Sequence, residues 1–163
     1  MNHTNNNWIT VNSRFIKKYL SIYRPEFIYL EKVRYKPKQI IGQFNKFIYP
    51  FTYNQLFEYV TATMAIFMLG QLLYVFVALV IKYKSESAVS DISLTEYFSI
   101  IKKTRAYITK IDMKFSGIIE NNNNIEIDMN LISVKRIKNM IYAKFRYEIV
   151  GGISGTLDTV ILK

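Results

Sequence analysis

Apolar and polar positions change their period along this chain, and the longest departure from any period is the stretch Val60 to Ile81. In VTATMAIFMLGQLLYVFVALVI no residue is charged, and only Thr61, Thr63 and Gln71 are clearly polar. A helix rises about 1.5 Å per residue and the hydrocarbon layer needs about 20 apolar residues to cross. The stretch therefore predicts one membrane span. Met64, Phe67, Leu69, Leu72, Tyr74, Phe76, Leu79 and Val80 point to all sides of such a helix rather than along one stripe. Tyr53, Phe57 and Tyr59 on one flank, and Lys82, Tyr83 and Lys84 on the other, suit the two interfaces. The alternative is a buried core helix, but no other stretch reads as able to wrap it. Gln71 falls near the middle of the span, where an amide costs free energy unless it finds a partner. Two readings stand: it faces a neighbouring helix, with Thr63 and Gly70, a heptad apart, as the packing seam, or it is a tolerated lone glutamine.

Upstream of the span the pattern suggests short helices. Ser13 can cap a helix that carries Phe15, Ile16, Tyr19, Leu20 and Tyr23 at helical spacing and stops at Pro25. Pro25 can open a second, PEFIYLEKVRY, closed by Pro37. From Lys38 to Tyr49, Ile40, Ile41, Phe44, Phe47 and Ile48 fall on one helical face and Lys38, Gln39, Gln43, Asn45 and Lys46 on the other. This predicts an amphipathic helix lying on a lipid bilayer surface or against a partner protein, ended by Pro50.

Downstream, Ser93 to Glu96 forms a capping-box pattern for a helix running to about Arg105. The period then becomes two. Ile111, Met113 and Phe115 alternate with polar residues, as do Ile125, Ile127, Met129 and Leu131. The Asn tract 121–124 between them predicts a hairpin. A further strand, Ile141 to Ile149, turns at Gly151 and Gly152 into a last strand through Leu157, Thr159 and Ile161. The expected fold class is α+β: a single transmembrane helix followed by a small domain of one helix and a four-stranded antiparallel sheet. The expected organisation is a basic aromatic arm over residues 1–54, the span over 55–84, and the small domain over 85–163.

Composition adds an origin and an orientation. The chain has 163 residues, a net charge of +10, no Cys and one His. It is rich in Ile, Lys, Asn, Tyr and Phe, residues with AT-rich codons, as in proteins encoded by protist organelle genomes. Residues 1–54 hold nine Lys and Arg against Glu26 and Glu31, whereas 85–163 hold eleven against nine acids. The positive-inside rule then leaves the arm in the matrix and puts the C-terminal domain in the intermembrane space of a mitochondrial inner membrane. Because the chain opens on Met1, the basic arm is expected to belong to the mature protein.

Candidate chemistry is sparse. His3 lies in a polar tail, away from any serine-histidine-acid arrangement, and the absence of Cys removes thiolate chemistry. Glu120, Glu126 and Asp128 are the nearest approach to a metal cluster, and two of them share the polar face of one strand. The glycines from 151 to 155 do not lead into a helix, as a phosphate loop would. Neither a catalytic, metal nor cofactor site is expected, and the chain is not expected to be an enzyme. The interleaved RFIKKY and RYKPK could suit nucleic acid, but no nucleic-acid partner is expected; ribosomal RNA is the alternative.

The order span, linker, helix, hairpin, then Phe145, Tyr147, Ile149 and Gly151 to Leu157 (GGISGTL) resembles one small inner-membrane family. It is the intermembrane-space domain shared by the twenty-one-kilodalton subunit of the presequence translocase and cytochrome c oxidase assembly factor one. The resemblance implies that Gly151 and Gly155 hold turn positions and that Phe145 is the core aromatic. It also implies a non-enzymatic protein that binds respiratory complexes or the translocase. The expected function is thus a structural accessory subunit of a respiratory-chain complex in the mitochondrial inner membrane, with other subunits of that complex as its partners. A transiently docking translocase or assembly factor, and a membrane-associated mitochondrial ribosomal protein, are the alternatives.

Overall fold

Alternation, rather than helical spacing, governs the segment after Pro25. The structure, a computed structural model, describes residues 8–48, 58–122 and 124–163. In chain order its elements are β1 (Ile9–Thr10), α1 (Ser13–Tyr19), β2 (Leu30–Lys36), β3 (Gln39–Phe44), α2 (Ala62–Lys82), α3 (Leu94–Lys102), β4 (Ala106–Phe115), β5 (Ile125–Ile137), β6 (Met140–Ile149) and β7 (Ile153–Leu162). Single 3₁₀ turns lie at Pro25–Phe27 and Ser87–Val89. The strands form one seven-stranded antiparallel sheet in the order β1-β2-β3-β5-β6-β7-β4.

This overturns the expected four-stranded sheet with one helix behind a membrane span. The helix PEFIYLEKVRY is instead a 3₁₀ turn and β2, with Val33 and Tyr35 buried between exposed neighbours. The amphipathic helix from Lys38 is β3: Ile40, Gly42 and Phe44 face inward, while Ile41 and Gln43 lie on the other face. Both periods fit Ile40 and Phe44, and pairing with β2 and β5 decides between them; Phe47 lies beyond the end of β3. A two-residue turn at Pro37 and Lys38, with Lys38 at φ 67°, closes the β2–β3 hairpin. Residues of the expected arm therefore belong to the same sheet as the C-terminal strands. The proposed end of that helix at Tyr49 and Pro50 lies outside the described residues.

The expected span is α2, 21 residues long, with a mean hydropathy of 2.5 over its most apolar window. Within that window 78% is buried by the rest of the chain. The inner faces of β2, β3 and β6, together with α1 and α3, supply the cover: Phe76 packs on Phe145 at 5.5 Å and on Tyr35 at 6.1 Å between ring centroids. A single long helix inside a curved sheet is apolar nearly all round for the same reason as a membrane helix, since both lack a wet side. Thr61 caps its start by accepting from Met64 N.

Other boundaries shift by less. Asn12, not Ser13, caps α1, its side chain accepting from Arg14 N. Ser93 caps α3 by accepting from Glu96 N, as its sequence pattern predicts. Gly151 and Gly152 make the β6–β7 turn at φ 111° and 136°, where a side chain would be strained. The expected hairpin of β4 with β5 does not form: β4 pairs with β7, and β5 with β3 and β6. Asn121 does not turn a hairpin; its buried side chain donates to Phe47 O and accepts from Phe47 N, both at 2.8 Å.

Candidate docking edge

A sheet of this order has two ends, and they differ. β1 at one end has two residues, beside Trp8, whose ring lies under Arg34 at 5.5 Å and Lys36 at 4.8 Å. β4 at the other end has ten residues and no described strand on its free side. An unpaired edge of this length presents a row of backbone donors and acceptors to any extended partner. Apolar side chains accompany it: Tyr107, Phe115 and Ile118 are 46%, 49% and 76% exposed.

Beneath the start of β4 runs a groove of about 250 Å³, lined by Tyr23, Ile66, Phe67, Gly70 and Tyr74 on one side and by Tyr107 and Ile108 on the other. It exists because the side of α2 carrying Ile66, Phe67, Gly70 and Tyr74 is the one the sheet does not close over. Tyrosines supply its polar atoms. Tyr74 Oη donates to Ala106 O at 3.1 Å, and Tyr97 Oη to Tyr74 O at 3.2 Å. Thr159 Oγ1 donates to Tyr107 O at 2.7 Å. Tyr23 Oη has no hydrogen-bond partner among the described residues and would stand 3.5 Å from a methyl group placed on Gly70.

Burial pushes the pKa of Tyr23, Tyr74 and Tyr97 up, and mutual repulsion with Tyr74 adds to the effect on the other two. These hydroxyls stay protonated at neutral pH, and those of Tyr74 and Tyr97 donate to backbone carbonyls. Among the described residues, no carboxylate, histidine, lysine or arginine lines the groove. Among the described residues no group of three or more His, Cys, Asp or Glu could hold a metal ion. The arrangement can bind an apolar surface and extend a sheet.

The residues singled out from sequence are scattered across this frame. Ile40, Phe44 and Phe47 are buried in the core, Ile41 sits on the outer face of β3, and Ile48 is 59% exposed, its carbonyl accepting from Tyr29 Oη at 2.6 Å. Thr63 and Gly70 lie on the open side of α2, Gly70 against Tyr23 rather than against another helix. Gln71 is wholly buried and bonds no helix: Oε1 accepts from Tyr29 N and Leu30 N at 3.1 Å each, and Nε2 donates to Phe27 O at 2.6 Å. It ties the irregular entry to β2 onto α2.

Phe145 is buried against Phe76, and Gly151 makes the turn described above. Gly155 is mid-strand in β7, not a turn. Its missing side chain lets Tyr147 Oη cross β7 and donate to Asp112 O on β4 at 2.9 Å. Burial, and then the charge of Asp112, push Tyr147 up to about 12. The docking edge itself was missed from sequence because β4 was given the wrong partner. Its signal is a strand with apolar residues left exposed on both sides of Lys110, Asp112 and Lys114.

No family model matches the chain, and no curated protein matches it. Among solved structures, it is similar to a chain of the dehydratase heterocomplex ApeI:P from Xenorhabdus doucetiae, with 13% identity over 91% of each chain and a TM-score of 0.56. It is also similar to Cj0977, a sigma28-regulated virulence protein from Campylobacter jejuni, with 8% identity over 94% of each chain and a TM-score of 0.45. The first likeness shows the fold alone, a long helix wrapped by an antiparallel sheet, and the second carries no argument.

Proposed function

We propose that the chain is a non-catalytic structural subunit of a larger protein assembly, docking on its neighbours through two surfaces, the β4 edge and the open side of α2. One observation carries this reading: the longer free edge of the sheet runs beside an apolar groove that, among the described residues, holds no acid, base or metal-ligand set. A dehydratase role like that in the name of the ApeI:P complex would need a proton donor and acceptor facing such a groove, and burial pushes the pKa of its Tyr23 and Tyr74 hydroxyls up. The respiratory-complex placement loses its membrane anchor once α2 is the core helix, so the proposal keeps the structural role and omits the anchor. The AT-biased residue usage still makes mitochondria the first fraction to examine.

The test is native sedimentation of tagged chain from its own cells, in mild detergent. The chain is expected in an assembly well above twice its 19.2 kDa mass, and Asp112→Lys, which reverses a charge on the β4 edge, should release it. Wild-type chain sedimenting at or below that dimer mass would overturn the proposal.

A further inference from the structure

The docking edge is self-complementary. We propose that β4 pairs antiparallel with β4 of a second copy of this chain, about a two-fold axis between Met113 and the partner's Met113. This inference rests on the docking reading above: it gives the β4 edge to a second copy and leaves the open side of α2 to the other members of the assembly.

The register follows from three features. First, β4 is regular only in its second half: its bulge lies between Ile108 and Lys110, and from Lys110 to Phe115 it pairs with β7 without a break. Second, the two faces of that half are sorted. Ile111, Met113 and Phe115 stand opposite Leu157, Gly155 and Ile153 on the core side, and Lys110, Asp112 and Lys114 occupy the outer side. Third, the charges select the centre. Centred on Met113, the strand sets Asp112 against the partner's Lys114 and Lys114 against the partner's Asp112. On the other face it sets Ile111 against the partner's Phe115, covering a ring that is half exposed in the single chain.

Neighbouring registers do worse. Centring on Asp112 opposes the two Asp112 carboxylates and places Lys110 against the partner's Lys114, and like charges directly opposite destabilise a pair. Centring on Ile111 keeps one set of opposite charges, Lys110 with the partner's Asp112, but drives both bulges into the pairing. Edges meant to stay alone carry charges of one sign, bulges or proline. Here the bulge is confined to the first half, and the charges of the second half alternate in sign.

The chain has no Cys, so the register can be read directly by cysteine cross-linking of the full chain. Light scattering is expected to give twice the 19.2 kDa chain mass, and Met113→Cys is expected to cross-link under mild oxidation while Ile111→Cys does not. Asp112→Lys should weaken the dimer about tenfold, and Asp112→Lys with Lys114→Asp should restore it, with unchanged circular dichroism throughout. A monomer at all concentrations overturns the self-pairing, as does cross-linking at Ile111→Cys or indifference to the charge exchange. Sedimentation of the wild-type chain in its own cells decides the docking reading separately: a monomer that still sediments in a large assembly defeats only this inference.

Discussion

Replacing Gln71 by Leu separates a core amide from a membrane amide by the sign of its effect. In the structure the side chain is wholly buried and satisfies Tyr29 N, Leu30 N and Phe27 O. Leucine removes all three bonds and leaves two donors and one acceptor where water does not reach. Each buried group left unsatisfied costs about 1–3 kcal/mol, and the added apolar side chain returns roughly 1–2 kcal/mol. The expected net loss is about 1–8 kcal/mol. With a urea slope of about 2 kcal/mol/M, the midpoint of unfolding should fall by roughly 0.5–4 M with the slope unchanged. An amide facing lipid would behave in reverse, because Leu is favoured there. A midpoint shift below about 0.5 M, or an increase, would refute the tie between Gln71 and the entry to β2.

Three further outcomes are expected. A methyl group on Gly42 would stand 2.6 Å from Leu72 Cδ1 and 3.0 Å from Leu30 Cδ1, so Gly42→Ala should destabilise by about 1–3 kcal/mol in thermal unfolding, and a neutral change would show that β3 sits farther from α2. Hydrogen bonds from Lys163 and then Arg136 hold the Asp91 carboxyl down to about 2, so its stabilising contribution is present above the usual value of 3.8 and is lost as pH falls from there through about 2. Asp91→Asn should therefore remove part of the stability difference between pH 6 and pH 2, and an unchanged pH profile would count against the cluster. Burial raises the Tyr23, Tyr74 and Tyr97 hydroxyls, so an absorbance titration of phenolate should show them ionising only with unfolding, above the range of free tyrosine; smooth ionisation near pH 10 would mean that the groove is open to water.

The sequence was legible where local chemistry decides the outcome. Ser93 caps α3, the alternation of Ile141 to Ile149 is β6, and the paired glycines turn it into β7. It misled where long-range pairing decides. Lys38 and Lys138 take positive φ at two-residue turns, positions where sequence rules look for Gly or Asn, so neither hairpin announced itself. Ile40 and Phe44 satisfy a helical stripe as well as a strand face, and without β2 and β3 nothing was left to cover α2. A membrane then seemed the only solvent apolar enough for it. The docking edge was hidden for a related reason: which strand is left unpaired is a property of the whole sheet order, and nothing within β4 states that its partner is β7 rather than β5.

The position of α2 in the chain has a consequence for synthesis. The helix is complete at Lys82, but β6, part of its cover, begins at Met140, and the sheet closes only with β7, ending at Leu162. At about 5–20 residues per second, the roughly 80 residues after Lys82 take about 4–16 s to make. For that interval a segment as apolar as a membrane span waits beside the ribosome without its cover. Whatever holds nascent apolar helices, whether a chaperone or an insertion machinery, meets this chain before its own last strands do.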